Sequence, residues 1–428
     1  MTLLSARAHS DLKHEGRPEH LATRGARLLH ALIEAASTES GQLFSPLGIV
    51  AAMDIARQVV ATGTAAEVAN RIVDGLAGLN LRLVFLFADW RLDADTMAAV
   101  QRRLDAPVVG GTTIGVIGKG VPKDAVAAVA IGFYGDWLKV GIGVSQDLPK
   151  SALTGSRDAV THAAAALGTT AAALDPARHV AITIVDGTCG HQEAFCIGSA
   201  AAAPEIKFVG GCAATELGSQ RRALIWVKGE VMYDAGAVIL LESDRSFYAV
   251  MSSHLVPTEV KTVVTEASGR IIDELDGRPA GTRLRELVAS IGDTLTEPQP
   301  SHSFARYVDG LPYVRSMTHI EGERLHLACA VEVGHVLRLM RPGDLIGTTT
   351  RDLASAAEQV GGEVAACLAF SCIGRHWDAQ SRNLERALAG AYAAYPTVGY
   401  QSFGEQSGML LVNHTLTGLV IGRRRGDR

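Results

Sequence analysis

The chain has 428 residues, 47% of them hydrophobic and 20% charged, with a formal net charge of -5. That length predicts two to four domains and a core that needs no disulfide or metal staple. The apolar content excludes an intrinsically disordered chain, and the mildly acidic balance argues against a dedicated nucleic-acid binder.

The first segment, residues 1–45, reads as a leader. Its start is charged and lacks the apolar stretch of a signal peptide. Apolar residues at helical spacing (Leu28, Leu29, Leu32, Ile33, Ala36) predict a helix over Ala26–Ala36, with Gly25 weakening any earlier turn. No window along the chain is apolar enough for a membrane span. Cys189, Cys196, Cys212, Cys329, Cys367 and Cys372 are scattered without a C-x-x-C pair, so reduced thiols in a cytosolic protein are expected.

A long-period repeat follows. Leu83–Ala88, Val180–Gly187 and Ala366–Gly374 are short apolar runs that read as buried strands. Each is followed by a helical stretch, at Asp93–Leu104, Glu193–Ala202 and Ser381–Ala394. A glycine-bearing segment comes next in each copy: Pro107–Gly115, Ile206–Ala214 and Pro396–Glu405. Each copy is preceded by a strand and a helix: Ile55–Thr62 with Ala65–Leu76, Lys139–Ser145 with Arg157–Leu167, and His335–Met340 with Arg351–Gln359. Apolar strands trail each copy, at Val126–Phe133, at Leu224–Val227 with Val238–Leu241, and at Met409–Val412 with Thr415–Ile421. The alternation predicts an α/β fold of repeated strand-helix-strand units forming mixed sheets.

The glycines read as turns at the carboxyl ends of parallel strands, where open α/β sheets bind ligands. That places Gly110, Gly111, Thr112, Gly210, Gly211 and the strand-end Asp186 beside a ligand cleft. None of the turns fits a dinucleotide or phosphate-loop pattern. Arg375, just past a buried strand, offers a planar fork for a carboxylate, as does Arg315. Glu405 or Asp186 would take an ammonium, and Cys372 would lie nearby. The competing structural reading is an Arg375–Glu405 ion pair tying repeats together.

The chain resembles the FIST domain family, with N-terminal and C-terminal FIST regions. The motifs are Pro107–Gly115, Phe208–Ala213, Ser253-His254, Val264–Ala267, Glu274–Ala280, Tyr313–Ser316, Phe370–Arg375, Gly404-Glu405 and Asn413–Thr417. Together they run from about Ile55 to Ile421. The leader is an addition to the pattern, and His414 stands where Gln often follows Asn413. The resemblance implies FIST N-terminal and C-terminal regions over residues 46–250 and 251–428. It also implies a small-molecule sensor that acts in trans on a partner such as a histidine kinase or a cyclic-dinucleotide enzyme. One branch of the family binds haem and senses nitric oxide. The histidines in family-like stretches, His254, His376 and His414, are the candidate axial ligands, and any haem would be non-covalent because no C-x-x-C-H occurs. A third reading is a thiol-dependent enzyme centred on Cys372.

Overall fold

The computed structural model describes residues 55–424, apart from 123–124, 298–299 and 309. The expected leader helix lies outside the described residues.

The first unit runs β1 (Ala56–Thr62), α1 (Ala65–Leu76), β2 (Leu81–Asp89), α2 (Ala94–Ala98), β3 (Val108–Thr113), β4 (Val116–Gly118) and β5 (Ala127–Tyr134). Helix α1 starts where Thr64 and Glu67 form a reciprocal capping box, satisfying two backbone donors at once. The second unit runs β6 (Leu138–Ser145), α3 (Leu148–Ala166), β7 (His179–Asp186), α4 (Gln192–Ala202) and β8 (Lys207–Ala213). It continues through β9 (Ile225–Val227), β10 (Glu230–Met232) and β11 (Gly236–Ser243).

The third unit opens with β12 (Arg245–Ser253) and is then interrupted. An inserted subdomain holds β13 (Leu255–Ser268), β14 (Ile271–Leu275), β15 (Arg278–Pro279), α5 (Ala280–Ser290), β16 (Ser303–Val308), β17 (Leu311–Arg315), β18 (Met317–Glu321), β19 (Arg324–Leu327) and β20 (Val336–Pro342). The unit resumes with α6 (Leu345–Gln359), β21 (Val364–Cys372), α7 (Ile373–Ser381), α8 (Glu385–Ala393), β22 (Thr397–Ser402), β23 (Glu405–Ser407), β24 (Leu410–Val412) and β25 (Thr415–Arg424).

The repeat is therefore real, and its sheets are mixed. In each unit the central strand (β2, β7, β21) pairs parallel with the next long strand (β3, β8, β22) and antiparallel with the trailing one (β5, β11, β25). Each unit also hands a short strand to another unit's sheet. β9 pairs with β3, β23 with β8, and β4 with β22. The exchange closes a ring of three units that no local pairing would produce. The three sheets turn one face inward onto a shared core that includes Phe85, Phe87, Ile182, Ile184, Phe370, Val398 and Tyr400. Helices cover the outer faces, which is why the central strands are apolar without alternation.

Two expectations are corrected here. The strand expected at His335–Met340 exists as β20, but it belongs to the insertion; the third unit's first strand is β12, beside β25. The insertion's two ends leave and re-enter side by side, with Leu255 opposite Pro342, so its roughly ninety residues separate β12 from its own helix without disturbing the unit. The helix expected at Ser381–Ala394 is two helices, broken around Asn383, which takes a positive φ of 55°.

The glycine pairs do not turn the chain. Gly110, Gly111, Gly210, Gly211 and Gly399 lie inside buried strands. A Cβ on Gly399 would stand 1.7 Å from the Ala369 carbonyl oxygen, and the same clash meets Gly110 at Leu86 and Gly210 at Thr183. They let adjacent parallel strands pack closely. The next position along is Gly111, Gly211 and Tyr400 in the three units. The Tyr400 side chain occupies space beside Gly211, where a Cβ would stand 2.9 Å from its hydroxyl, and its ring lies 4.6 Å from the Phe87 ring and 5.4 Å from that of Phe370. Only Gly404, with a φ of 122°, marks a true turn, between β22 and β23.

Candidate functional site

The three units offer three equivalent strand ends, and their chemistry differs. The central strands end in Asp89, Asp186 and Cys372. Asp89 is engaged by the Arg91 guanidinium at 2.7 and 2.8 Å. Asp186 accepts from the Thr188 amide and hydroxyl and from the Asp234 amide; burial raises its pKa, and these bonds oppose the rise. Both aspartates are thereby satisfied. Asp186 shares no hydrogen bond or ion pair with Arg375 or Glu405. Thr112 is likewise occupied, exchanging backbone and hydroxyl bonds with Leu224.

The third unit is the exception. The handed-over strands begin with Val116, Ile225 and Glu405 at matching register, opposite Tyr400, Gly111 and Gly211. Two aliphatic residues thus correspond to one buried carboxyl. Glu405 is wholly buried and accepts from Ser402 Oγ and Thr415 Oγ1, each at 2.5 Å. Burial outweighs these bonds and pushes its pKa to about 8.

Arg375 sits in the first turn of α7 with no exposed surface. Its Nη2 donates to Thr349 Oγ1 at 2.6 Å, while Nε and Nη1 find no partner in the protein. No carboxylate among the described residues lies within ion-pair distance of it, so the expected Arg375–Glu405 ion pair does not form, although the two groups feel each other's charge. Asn413 is equally buried, and neither its amide oxygen nor its nitrogen is partnered. Sequence reasoning singled out His414 and passed over Asn413. The signal was a polar residue directly after the apolar run Leu410–Val412.

His414 packs its ring on Gly374, where a Cβ would come within 2.9 Å of the ring atoms. Its Nδ1 lies 2.6 Å from Ser316 Oγ and 3.4 Å from Ser303 Oγ, both on the insertion. Burial, with the neighbouring His254, drives its pKa down to about 3. His254 lies 6.1 Å away, ring to ring, and its Nε2 stands 2.9 Å from Asp378 Oδ2. Burial lowers the His254 pKa, and the Asp378 carboxylate opposes it.

His376 is separate, facing the Gln401 amide at 3.1 Å. His254 and His414 are buried, the first with Asp378 at its Nε2 and the second with Ser316 and Ser303 at its Nδ1, polar surroundings unlike the apolar cleft a haem needs. Burial raises the Cys372 thiol well above its ordinary pKa, with Glu405 adding to the shift, a direction that disfavours the thiolate. Arg315 is apart as well; its guanidinium lies beside Cys329 on the insertion. A surface recess of about 480 Å³ lined by Arg82, Pro107, Asp136, Leu138, Lys139 and Val140 contains none of the candidate residues. No group of three metal-ligating side chains occurs among the described residues, and no helix among them is long and apolar enough to cross a membrane.

The family comparison agrees with the motifs. The FIST N domain model matches residues 82–278 and the FIST C domain model residues 280–408. No curated protein matches the chain. A crystal structure of a cyanuric acid hydrolase from A. caulinodans is 13% identical, with 87% of this chain and 99% of that one covered, at a TM-score of 0.37.

Proposed function

Because the chain belongs to the FIST family, whose domains are associated with small-ligand sensing in signal transduction, we propose that it senses a small carboxylate bound at Arg375. The observation that carries this reading is an interior guanidinium with two unpartnered nitrogens and no counter-charge. Desolvating a cation costs several kcal/mol unless an anion and hydrogen bonds offset it. A ligand carboxylate supplies both, in the two-pronged geometry that arginine favours.

Asn413 adds a donor and an acceptor beside His414, and protonated Glu405 adds a further donor. Together these groups suit a ligand with one carboxylate and neighbouring polar atoms. Binding shifts the protein between two conformations in proportion to its preference for one of them, and a separate signalling protein reads the result.

The test is a thermal-shift screen of the common amino acids, acetate and succinate against wild type, Arg375→Met and Asn413→Ala. At least one compound should raise the wild-type melting temperature. Arg375→Met should abolish that shift, and Asn413→Ala should weaken it. Without its unpaired buried charge, Arg375→Met should be at least as stable as wild type when no ligand is present. A screen in which nothing stabilises wild type, or a shift that survives Arg375→Met, overturns the reading.

A further inference from the structure

We propose that the insertion, residues 254–344, is a hinged lid over the Arg375 centre, latched to the second unit by Glu193. The lid's purpose rests on the reading of Arg375 as a ligand-binding group. Its mechanics rest on contacts of their own.

The centre is closed. Arg375, Glu405 and Asn413 have no exposed surface, and His414 and His254 are each 2% exposed. A ligand reaches these groups only if something covering them moves. The insertion touches this centre at His414, which meets the hydroxyls of Ser303 and Ser316.

The insertion is built to move as a body. It has its own apolar core, including Val264, Leu284, Phe304, Leu337 and Leu339. Rigid motion therefore leaves its interior packed. It joins the third unit through two adjacent strands, and that junction is firmly pinned. The Gly343 amide donates to the His254 carbonyl at 3.0 Å. Arg382 donates to the Gly343 carbonyl at 2.9 Å and to Asp378 at 3.0 Å, while Asp378 also meets His254. Two neighbouring crossings held at one point form a hinge. The hinge shares Asp378 and His254 with the ligand centre.

The far side is held differently. Glu193, in the first turn of α4, accepts the Arg270 guanidinium at 2.7 Å and the Ala330 amide at 2.8 Å. Gln192 accepts from the same Arg270 nitrogen at 2.7 Å. The Arg270 and Glu193 side chains keep 30% and 27% of their surface in solvent, so water can replace these bonds. Behind them Cys329, 1% exposed, packs into the second unit's core cluster with Phe195 and Cys196. One carboxylate therefore ties two strand connections of the insertion to a helix of another unit. Its release leaves the insertion held away from the hinge only by the packing of Cys329 and the Ser303 and Ser316 contacts with His414.

Native cysteines report the motion without any ligand. Iodoacetamide labelling of the full chain, followed by peptide mass spectrometry, compares wild type with Glu193→Ala and Arg270→Ala. Cys329, at the latch, and Cys372, beside the His414 that Ser303 and Ser316 touch, should label about tenfold faster in either variant, as expected for roughly 1.4 kcal/mol of lost closure. Cys367, buried on the helix-covered side of β21, should label at the wild-type rate. Equal acceleration at all three thiols would mean global destabilisation and would overturn the lid, as would no acceleration at Cys329. The labelling needs no bound carboxylate, so an empty ligand screen with selective labelling would remove the ligand reading and leave the lid standing.

Discussion

Replacing Glu405 with Gln changes how stability depends on pH. The folded-state pKa of Glu405 is about 8, against an ordinary value of 4.5. Below pH 4.5 the carboxyl is protonated in folded and unfolded chains alike, and it contributes no pH dependence. Between 4.5 and about 8 the unfolded chain releases the proton while the folded one keeps it. Folding stability therefore falls by about 1.4 kcal/mol per pH unit over that window. Above it both states are ionised and the slope vanishes. The buried His414 acts oppositely. Its folded pKa near 3 makes the unfolded chain bind the extra proton, so stability rises with pH between about 3 and 6.5. In wild type the two slopes oppose each other over the shared window, and the loss emerges above about pH 6.5. The glutamine of the variant keeps the size and can still bridge Ser402 and Thr415, but it does not titrate. The stability of Glu405→Gln relative to wild type should accordingly climb from pH 5 to 8, by about 4 kcal/mol at the upper end. Urea unfolding midpoints at unit pH steps measure this, and the His414 contribution cancels in the difference. Two unfolding profiles that keep a constant separation from pH 5 to 8 would refute the assignment of a neutral buried carboxyl.

Further outcomes follow from packing. Phe87→Ala removes a ring that touches both Tyr400 and Phe370 at the meeting of the three sheets. It should cost about 3–5 kcal/mol, read from the urea midpoint, whereas a cost below about 1 kcal/mol would mean the centre collapses to fill the gap. Gly399→Ala drives a methyl into the Ala369 carbonyl and should destabilise by about 1–3 kcal/mol or more. A Gly399→Ala protein with wild-type melting temperature would show that β21 and β22 are not so closely apposed.

Much of the fold is legible in the residues because burial on both faces leaves a plain trace. The runs at Leu83–Ala88, Val180–Val185 and Ala366–Cys372 carry no charge, and they became the central strands. Glycine is more ambiguous. At Gly404 it permits a positive φ, while at Gly110, Gly210 and Gly399 it permits a close backbone approach. The letter is the same in both cases, so the turns expected at the glycine pairs were strands. The third unit's first strand was equally hidden, because pattern along the chain assumes that neighbours in space are neighbours in sequence. The insertion between β12 and α6 breaks that assumption.

The candidate site divides along the same line. Arg375, Cys372, Glu405, His254 and His414 stand out in sequence as polar residues in apolar stretches, and the fold gathers them around one strand end. Arg315, His376, Asp186 and the paired glycines share that appearance, yet they lie elsewhere or are fully occupied. Chain order alone established the repeat, the α/β class and the family resemblance, since these depend on periodicity and burial within each segment. Which strand end gathers the candidate residues depended on the ring of exchanged short strands and on the insertion. Those contacts join residues a hundred or more positions apart, such as Ser303 with His414 and Gly211 with Glu405. Nothing in the local pattern of either partner specifies them. Only packing decided that Arg375 would be left inside the protein without a counter-charge.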